Sequence, residues 1–175
     1  MRRFLFIITP LILVHGSLFA WGGVTHKFIN KNAVTHLPPS MSSLAVQAPF
    51  LEAHASDPDN RGGLRHLDTN FYGEYWRHFL DLDNYPNYAN LSSDLFGLVS
   101  LHGRDVVRKN GTSWWATVWV MDSLTAQVKR GDTARYQTAS DLGHYVGDMH
   151  QPLHATGNYD GQFSGNKGIH SRYES

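Results

Sequence analysis

The stretch Asp141-Leu-Gly-His-Tyr-Val-Gly-Asp-Met-His-Gln-Pro-Leu-His154 carries the strongest signal in the sequence. It predicts the end of a helix, because Pro152 cannot continue a helical hydrogen-bond pattern. His144 and Asp148 are four residues apart, so on a helix they project from one face about one turn apart and can share a metal ion. His154 follows the predicted helix end, where it can turn towards a second metal ion. The stretch therefore predicts a helical fold with a metal site on one helix face.

Helical periodicity extends over most of the remaining chain. Apolar residues recur at three- and four-residue steps, Ser113 can cap one of these segments, and Gly131 can end it. No segment alternates apolar and polar residues for long enough to require a strand. We therefore expect an all-α domain with long loops over residues 57–75 and 84–90. The predicted helices cover residues 24–37, 41–55, 91–108, 113–131, 132–150 and a segment that starts near 169.

The composition excludes several classes of protein. The chain has 175 residues, no cysteine and 11 histidines, with 15 basic and 15 acidic side chains. This length supports a single domain that can bury a core without disulfides. A cysteine-based zinc finger, an iron–sulfur protein and a thiol nucleophile all need the residue that is absent. Because the formal net charge is zero, no basic stripe indicates binding of duplex DNA.

The first twenty residues predict a secretory signal peptide. Arg2 and Arg3 precede an apolar stretch over residues 4–14, and Ala20 offers a small residue for cleavage. This stretch is too short to span a bilayer, which needs about 20 apolar residues, and no later stretch is long enough. We expect cleavage after Ala20, a mature domain over residues 21–175, and a secreted or periplasmic protein with no transmembrane segment. An uncleaved membrane anchor is the alternative.

A second pair of histidine and carboxylate lies near the end of the chain. His170 and Glu174 have the same four-residue spacing as His144 and Asp148. One such pair on a helix is more often a surface hydrogen bond than a metal site, but two pairs together with His154 favour a metal site. Nitrogen and carboxylate oxygen ligands without sulfur suit zinc in an open, catalytic site.

The pattern His-Tyr-x-Gly-Asp-x-x-Gln-Pro-x-His from His144 to His154, together with a mature amino terminus at Trp21, closely resembles the secreted trinuclear zinc phosphodiesterases. These enzymes include bacterial zinc-dependent phospholipase C and the fungal single-strand-specific zinc nucleases. The resemblance covers essentially the whole mature chain and implies a compact all-α fold. The later C-terminal helices of the family are missing, so we expect a chain that is truncated at its C-terminus.

The resemblance also implies a set of ligands for three zinc ions. The amino group and the carbonyl oxygen of Trp21 would bind zinc, which gives signal cleavage a chemical purpose. Asp57 would orient the attacking water or accept its proton, in a hydrolysis by metal-activated water. The implied ligands are Asp57, His78, His144 and Asp148 for one zinc ion, Trp21, His26 and the bridging Asp148 for the second, and His154, His170 and Glu174 for the third.

The substrate markers of the family point in two directions. Glu174 stands where the nucleases carry aspartate, which favours a phospholipase C, while the short spacing from the mature amino terminus to His26 is nuclease-like. Phe79 and Asp81 match positions that contact a base in the nucleases, and Arg61 lies one place from the position of their phosphate-binding arginine. We expect a phospholipid head group as the first candidate substrate and single-stranded nucleic acid as the second, with no obligate protein partner. A truncated zinc-binding domain without activity is the second alternative to a phospholipase C, after the nuclease.

Overall fold

The computed structural model describes residues 22–62 and 69–174, and within these ranges the chain is helical with no strand. The predicted all-α class is therefore confirmed. The predicted signal peptide, residues 1–20, and the predicted ligand Trp21 lie outside the described residues. The described α-helices are α1 (Gly23–Ala33), α2 (Ser42–Ala45), α3 (Ala48–Ala53), α4 (Asp57–Arg61), α5 (Leu95–His102), α6 (Arg104–Lys109), α7 (Ser113–Arg130), α8 (Arg135–Met149) and α9 (Ile169–Glu174). The described 3-10 helices are Val34–His36, Pro39–Met41, Glu74–Arg77, Leu82–Asn84, Tyr88–Asn90 and Pro152–Ala155.

Helix α8 packs against four other helices, α1, α3, α4 and α7. The buried side chain of Asn30 in α1 joins α1 to both α3 and α8. Its amide donates to the backbone carbonyls of Leu51 in α3 at 3.1 Å and Ser140 in α8 at 2.9 Å. Gly143 permits this close approach, because a Cβ atom there would overlap the side-chain amide oxygen of Asn30. The packing therefore brings the inner faces of α1 and α8 into direct contact.

A hydrophobic core joins the segment before α5 to helices α5, α6 and α7. Trp115 of α7 is buried in this core, and its indole N–H donates to the backbone carbonyl of Ser93 at 2.8 Å. Leu80 also lies in the core, and its amide donates to the carbonyl of His154 at 2.8 Å. The core therefore anchors the chain directly after His78. The buried core residues are Phe71, Leu80, Tyr85, Leu98, Val107 and Trp115.

Two of the predicted helices are broken in the structure. Residues 91–108 form α5 and α6, which are separated by Gly103 with a φ of 87°, a left-handed conformation that suits glycine. Helix α5 begins after Asp94, whose carboxylate accepts the amide N–H of Phe96 at 3.1 Å. It therefore starts later than predicted. Residues 41–55 likewise form two short helices, α2 and α3, rather than one.

Other boundaries follow local turn chemistry. The predicted loop over residues 57–75 contains two short helical segments, α4 and the start of Glu74–Arg77. Helix α7 ends at Gly131 as predicted, with the left-handed φ of 69° that is common after a helix. The carboxylate of Asp132 then accepts the amide N–H of Ala134 at 2.9 Å. Because this turn occupies the predicted start of the next helix, α8 begins after it.

Candidate metal centre

Five polar side chains meet where α1, α4 and α8 approach the end of the 3-10 helix Glu74–Arg77. His144 and Asp148 lie one turn apart on α8, and both are fully buried, as is His26 on α1. The contact between α1 and α8 stacks the rings of His26 and His144 with centroids 3.8 Å apart. We name this group the inner cluster; its members are His26, Asp59, His78, His144 and Asp148.

The nitrogen and oxygen atoms of the inner cluster lie close enough together to share a metal ion. Nδ1 of His78 lies 2.9 Å from Oδ2 of Asp148 and 3.1 Å from Nε2 of His144. Oδ1 of Asp59 lies 3.6 Å from the same two nitrogens, Nδ1 of His78 and Nε2 of His144. Nε2 of His26 faces the second carboxylate oxygen of Asp148, Oδ1, at 3.3 Å. Asp148 therefore presents Oδ2 to His78 and His144 and Oδ1 to His26, as a carboxylate that bridges two metal ions must do.

A second group, which we name the outer cluster, consists of His154, His170 and Glu174. His154 lies in Pro152–Ala155, and the other two residues lie one turn apart on α9. Nε2 of His170 is 2.6 Å from Oε1 of Glu174 and 3.2 Å from Nε2 of His154. Nδ1 of His154 lies 3.8 Å from Oδ1 of Asp148. The two clusters are therefore adjacent.

Backbone carbonyls orient two of the histidine rings. Nδ1 of His144 donates to the carbonyl of Ala55 at 2.8 Å, and Nδ1 of His154 donates to the carbonyl of His78 at 2.6 Å. A neutral imidazole that donates through Nδ1 carries a free lone pair on Nε2. The Nε2 atoms of both rings are therefore directed into their clusters, and metal-binding histidines commonly show this arrangement.

The charges of the two clusters are paired. Burial opposes ionisation of Asp148, but His144 and the hydrogen bonds from the neighbouring histidines hold the pKa of this carboxyl well below its ordinary value. Burial also disfavours a charge on His144, but the carboxylate of Asp148 raises the pKa of this imidazole overall. In the outer cluster, burial is outweighed by hydrogen bonds from His154 and His170, which lower the pKa of Glu174. The ionised forms of Asp148 and Glu174, which a metal requires, are therefore favoured, whereas burial raises the pKa of Asp59.

Buried polar atoms indicate what the inner cluster binds. Neither ring nitrogen of the buried His26 makes a hydrogen bond of good geometry, and Oδ1 of Asp148 is in the same state. A buried polar group without a hydrogen bond costs roughly 1–3 kcal/mol, and a metal ion at this point would satisfy Nε2 of His26 and Oδ1 of Asp148, which lie 3.3 Å apart. The donor atoms are imidazole nitrogens and carboxylate oxygens, a set that suits zinc. The residues present therefore fit a zinc centre.

The structure brings Asp59 into the inner cluster, whereas the predicted ligand Asp57 lies outside it. Oδ2 of Asp57 accepts a hydrogen bond from Nδ1 of His54 at 2.7 Å, and its side chain is partly exposed. Both acids belong to α4, and residues two apart on a helix point to different faces. Only one of them can therefore face α8. The other predicted ligands within the described residues all lie in the two clusters: His26, His78, His144, Asp148, His154, His170 and Glu174.

Arg61, predicted to contact a phosphate, is held between two carboxylates. Its Nε donates to Oε2 of Glu74 at 3.0 Å, and its Nη2 donates to Oδ2 of Asp141 at 2.8 Å. Burial opposes the charge of Arg61, but these two carboxylates raise the pKa of the guanidinium above its ordinary value. The structure therefore gives Arg61 a role in joining α4 to α8 and does not bring it into either cluster.

Phe79 and Asp81, the other predicted substrate contacts, closely follow His78 along the chain. The ring of Phe79 packs edge-on against the ring of Tyr75, with centroids 5.4 Å apart. Burial, and then the nearby charge of Asp83, raises the pKa of Asp81 to about 7. Neither Phe79 nor Asp81 lines the cavity that opens beside the clusters.

This cavity has a volume of about 260 Å³, and residues of both clusters, Asp148 and His154, lie in its wall. The rest of the wall is mainly apolar, and two of its aromatic side chains, Tyr88 and Trp114, remain 59% and 36% exposed. The sequence patterns did not predict Tyr88 as a residue of this wall. No local pattern marks these residues, because separate segments of the chain supply them. The main apolar wall residues are Leu80, Leu82, Tyr88, Leu91, Trp114 and Met149.

Comparison with known proteins agrees with this geometry. A family model described as S1/P1 nuclease matches residues 21–173. No curated protein and no solved structure matches the chain. The predicted resemblance to zinc phosphodiesterases is confirmed, and the nuclease alternative fits the match better than the phospholipase C interpretation does. The chain belongs to the S1/P1 nuclease family, whose members are zinc-dependent hydrolases of phosphodiester bonds.

Proposed function

We propose that this chain is a secreted, zinc-dependent endonuclease that hydrolyses phosphodiester bonds of single-stranded nucleic acid. One observation carries the proposal: two buried clusters of histidines and carboxylates meet at Asp148 in the wall of a mainly apolar cavity. The clusters offer ligands for metal ions that would bind the phosphate, and the cavity offers an apolar surface for the adjoining base. The family match supports a nuclease before a phospholipase.

The cluster residues divide into three sets of zinc ligands. Asp59 takes the place that the resemblance implies for Asp57. The resemblance also assigns Trp21, which lies outside the described residues. The proposed ligands are Asp59, His78, His144 and Asp148 for the first ion, Trp21, His26 and Asp148 for the second, and His154, His170 and Glu174 for the third.

Bound zinc would supply a hydroxide nucleophile near neutral pH and would stabilise the charge of the phosphate. The protein positions these charges. Asp148 sets the spacing between two sites through its two oxygens, and hydrogen bonds to backbone carbonyls hold the rings of His144 and His154. The carboxylate of Asp59 orients the attacking water or accepts its proton.

The cavity favours a base over a lipid as the group next to the phosphate. Its volume of about 260 Å³ lies just below the roughly 300–1,000 Å³ of typical ligand sites, so it suits one flat ring better than two acyl chains. Tyr88 and Trp114 offer faces for stacking, which contributes about 1–3 kcal/mol per base. Gln151 also lines the cavity, but its side chain is already hydrogen-bonded to Glu174 and to the amide of Leu153, so it is not free to recognise a base. We therefore expect little preference for one base.

Phospholipase C activity is the second candidate function. Glu174, the residue that favours it in the sequence, lies in the outer cluster within 2.6 Å of His170. A phospholipid head group also presents a phosphodiester, so the two candidates share one chemistry and differ in the group that the cavity receives.

A paired assay tests the proposal. The mature chain, with Trp21 as its first residue, is loaded with zinc and given a single-stranded oligonucleotide, the matching duplex and phosphatidylcholine vesicles. We expect cleavage of the single strand in preference to the duplex, loss of cleavage with a chelator and recovery with zinc. Hydrolysis of the phosphatidylcholine vesicles without cleavage of either nucleic acid would contradict the proposal and identify the protein as a phospholipase C. Zinc binding without turnover of any substrate would indicate an inactive binding domain.

A cavity variant sharpens the assay. We expect Trp114→Ala to raise the KM for the single strand about tenfold, because it removes a stacking face. Phe163→Ala is the matched control, since Phe163 is 81% exposed and does not line the cavity. Equal KM values for the two variants would contradict the proposal that the base binds in the cavity.

The amino terminus has its own test. No helix within the described residues is long and apolar enough to cross a membrane. We propose that removal of residues 1–20 during export frees the amine of Trp21 for zinc. Mass spectrometry of the exported protein should place the first residue at Trp21, and an added residue before it should weaken zinc binding. Export with residues 1–20 still attached would contradict this part of the proposal.

A further inference from the structure

The two ring nitrogens of His78 face different surroundings. Nδ1 points into the inner cluster, 2.9 Å from Oδ2 of Asp148. Nε2 points away from the cluster and lies at an ion-pair distance, 3.8 Å, from Oε1 of Glu74. His78 directly follows the 3-10 helix Glu74–Arg77, so Glu74 lies one turn before it along the chain. The ring therefore stands between the metal ligands on one side and a carboxylate on the other.

Glu74 is itself held in place by donors from two helices. The hydroxyl of Tyr145, on α8, donates to Oε1 of Glu74. Nε of Arg61, on α4, donates to Oε2 at 3.0 Å. Arg61 is in turn fixed by Asp141, one turn before Tyr145 on α8. The carboxylate of Glu74 thus has a defined position beside His78 and is tied to α4 and α8, two of the three helices that supply other inner-cluster residues.

We propose that Glu74 is a positioning residue for His78 and holds its ring with Nδ1 directed at the metal. This inference rests on the proposed zinc site of the inner cluster. Histidines that bind a metal through one nitrogen commonly give the N–H of the other nitrogen to a carboxylate, which fixes the tautomer and the ring plane. Glu74 is the carboxylate in ion-pair contact with Nε2 of His78 among the described residues. Its negative charge also makes His78 a stronger donor to the metal.

Zinc affinity of the mature chain tests the proposal. The variant Glu74→Gln keeps the size of the side chain and removes its charge. Two controls remove the other contacts of the same network: Asp141→Asn weakens the hold on Arg61, and Tyr145→Phe removes the hydroxyl that bonds Glu74. In a competition titration with a chromophoric chelator, we expect Glu74→Gln to weaken the inner-cluster zinc about 10- to 100-fold. Each control leaves the charge of Glu74 and one of its two donors in place, so both should lose much less affinity than Glu74→Gln does.

Cobalt(II) provides a readout that a purely structural role would not change. With Co²⁺ in place of Zn²⁺, the visible absorption bands report the geometry of the ligands, so Glu74→Gln should shift these bands more than either control does. Equal zinc affinities and equal Co²⁺ spectra for Glu74→Gln and the unsubstituted protein would overturn the proposal. Equal losses in all three variants would also overturn it and assign the network to folding alone. An unsubstituted protein that binds no zinc would overturn the proposed function as well, so the two failures are distinguishable.

Discussion

The inner and outer clusters use the same residue types but very different lengths of chain. The inner cluster joins residues from His26 to Asp148 and depends on the packing of α1 and α4 against α8. The outer cluster joins residues from His154 to Glu174, and two of its three members lie on the six-residue helix α9. Short helices are marginal without tertiary support. The inner cluster therefore depends on the packing of helices from the whole described chain, while the outer cluster is built mainly from one short segment.

The largest effect is expected at Asp148, where the two clusters meet. Asp148→Asn removes the charge that faces His26, His78 and His144, so we expect at least about a hundredfold loss of phosphodiesterase activity together with loss of zinc. Zinc analysis and single-strand cleavage measure both. Asp141→Asn, the same change two turns earlier on α8, is the control and should stay active. Full turnover with all zinc retained in Asp148→Asn would refute the shared centre.

The next effect separates the two acids of α4. We expect Asp59→Asn to lower kcat about 10- to 100-fold, because Asp59 faces His78 and His144 in the inner cluster. Asp57→Asn should change kcat by no more than about twofold, as exposed substitutions usually do. Cleavage kinetics of the two variants under saturating zinc give the comparison. The reverse order would return the ligand role to Asp57.

A smaller and more local effect is expected in the outer cluster. His170→Ala should remove one zinc ion and leave the unfolding temperature of the metal-free protein nearly unchanged, because α9 adds little to the packed helices. His144→Ala should lower that temperature, since His144 is fully buried and hydrogen-bonded to Ala55. Calorimetry of the chelator-treated variants distinguishes the two. Equal destabilisation would show that the clusters do not differ in their dependence on the fold.

The smallest effect is a pH dependence of the metal-free protein. The pKa values of His144 and His154 are raised above 6.5, so their stabilisation is present below pH 6.5 and is lost as pH rises through the raised values. The pKa values of Asp148 and Glu174 are lowered from 3.8 and 4.5, so their stabilisation is present above those values and is lost at lower pH. With a chelator present, the unfolding temperature should therefore fall as pH rises above 6.5.

The zinc-loaded protein should show the opposite trend. Zinc binds deprotonated ligands, so its stabilisation grows as pH rises through the range in which histidines lose their protons. Thermal unfolding across the same pH series, with and without chelator, gives two curves that diverge as pH rises. Parallel curves would mean that the histidines of the clusters are not the zinc ligands.

Local geometry explains which parts of the site could be predicted from the sequence. The pairs His144 with Asp148 and His170 with Glu174 were predictable, because four-residue spacing on a helix places two side chains on one face wherever the helix lies. The choice between Asp57 and Asp59 was not predictable. It depends on the rotation of the five-residue helix α4 against α8, which only packing determines.

The same distinction applies to the fold. The end of α7 at Gly131 was predictable, since glycine readily adopts the left-handed conformation that ends a helix. The break between α5 and α6 at Gly103 was not, because apolar periodicity continues across it. The cavity was also beyond sequence reasoning, since its aromatic side chains Tyr88 and Trp114 come from separate segments that tertiary packing brings together.

X-ray diffraction measured at the zinc absorption edge tests the central claim most directly. In crystals of the zinc-loaded mature chain, we expect an anomalous peak between His78, His144 and Asp148, with Asp59 beside it. A second peak should lie near His26 on the other oxygen of Asp148. A third should lie in the outer cluster. Zinc-saturated crystals without an anomalous peak at Asp148 would contradict the account.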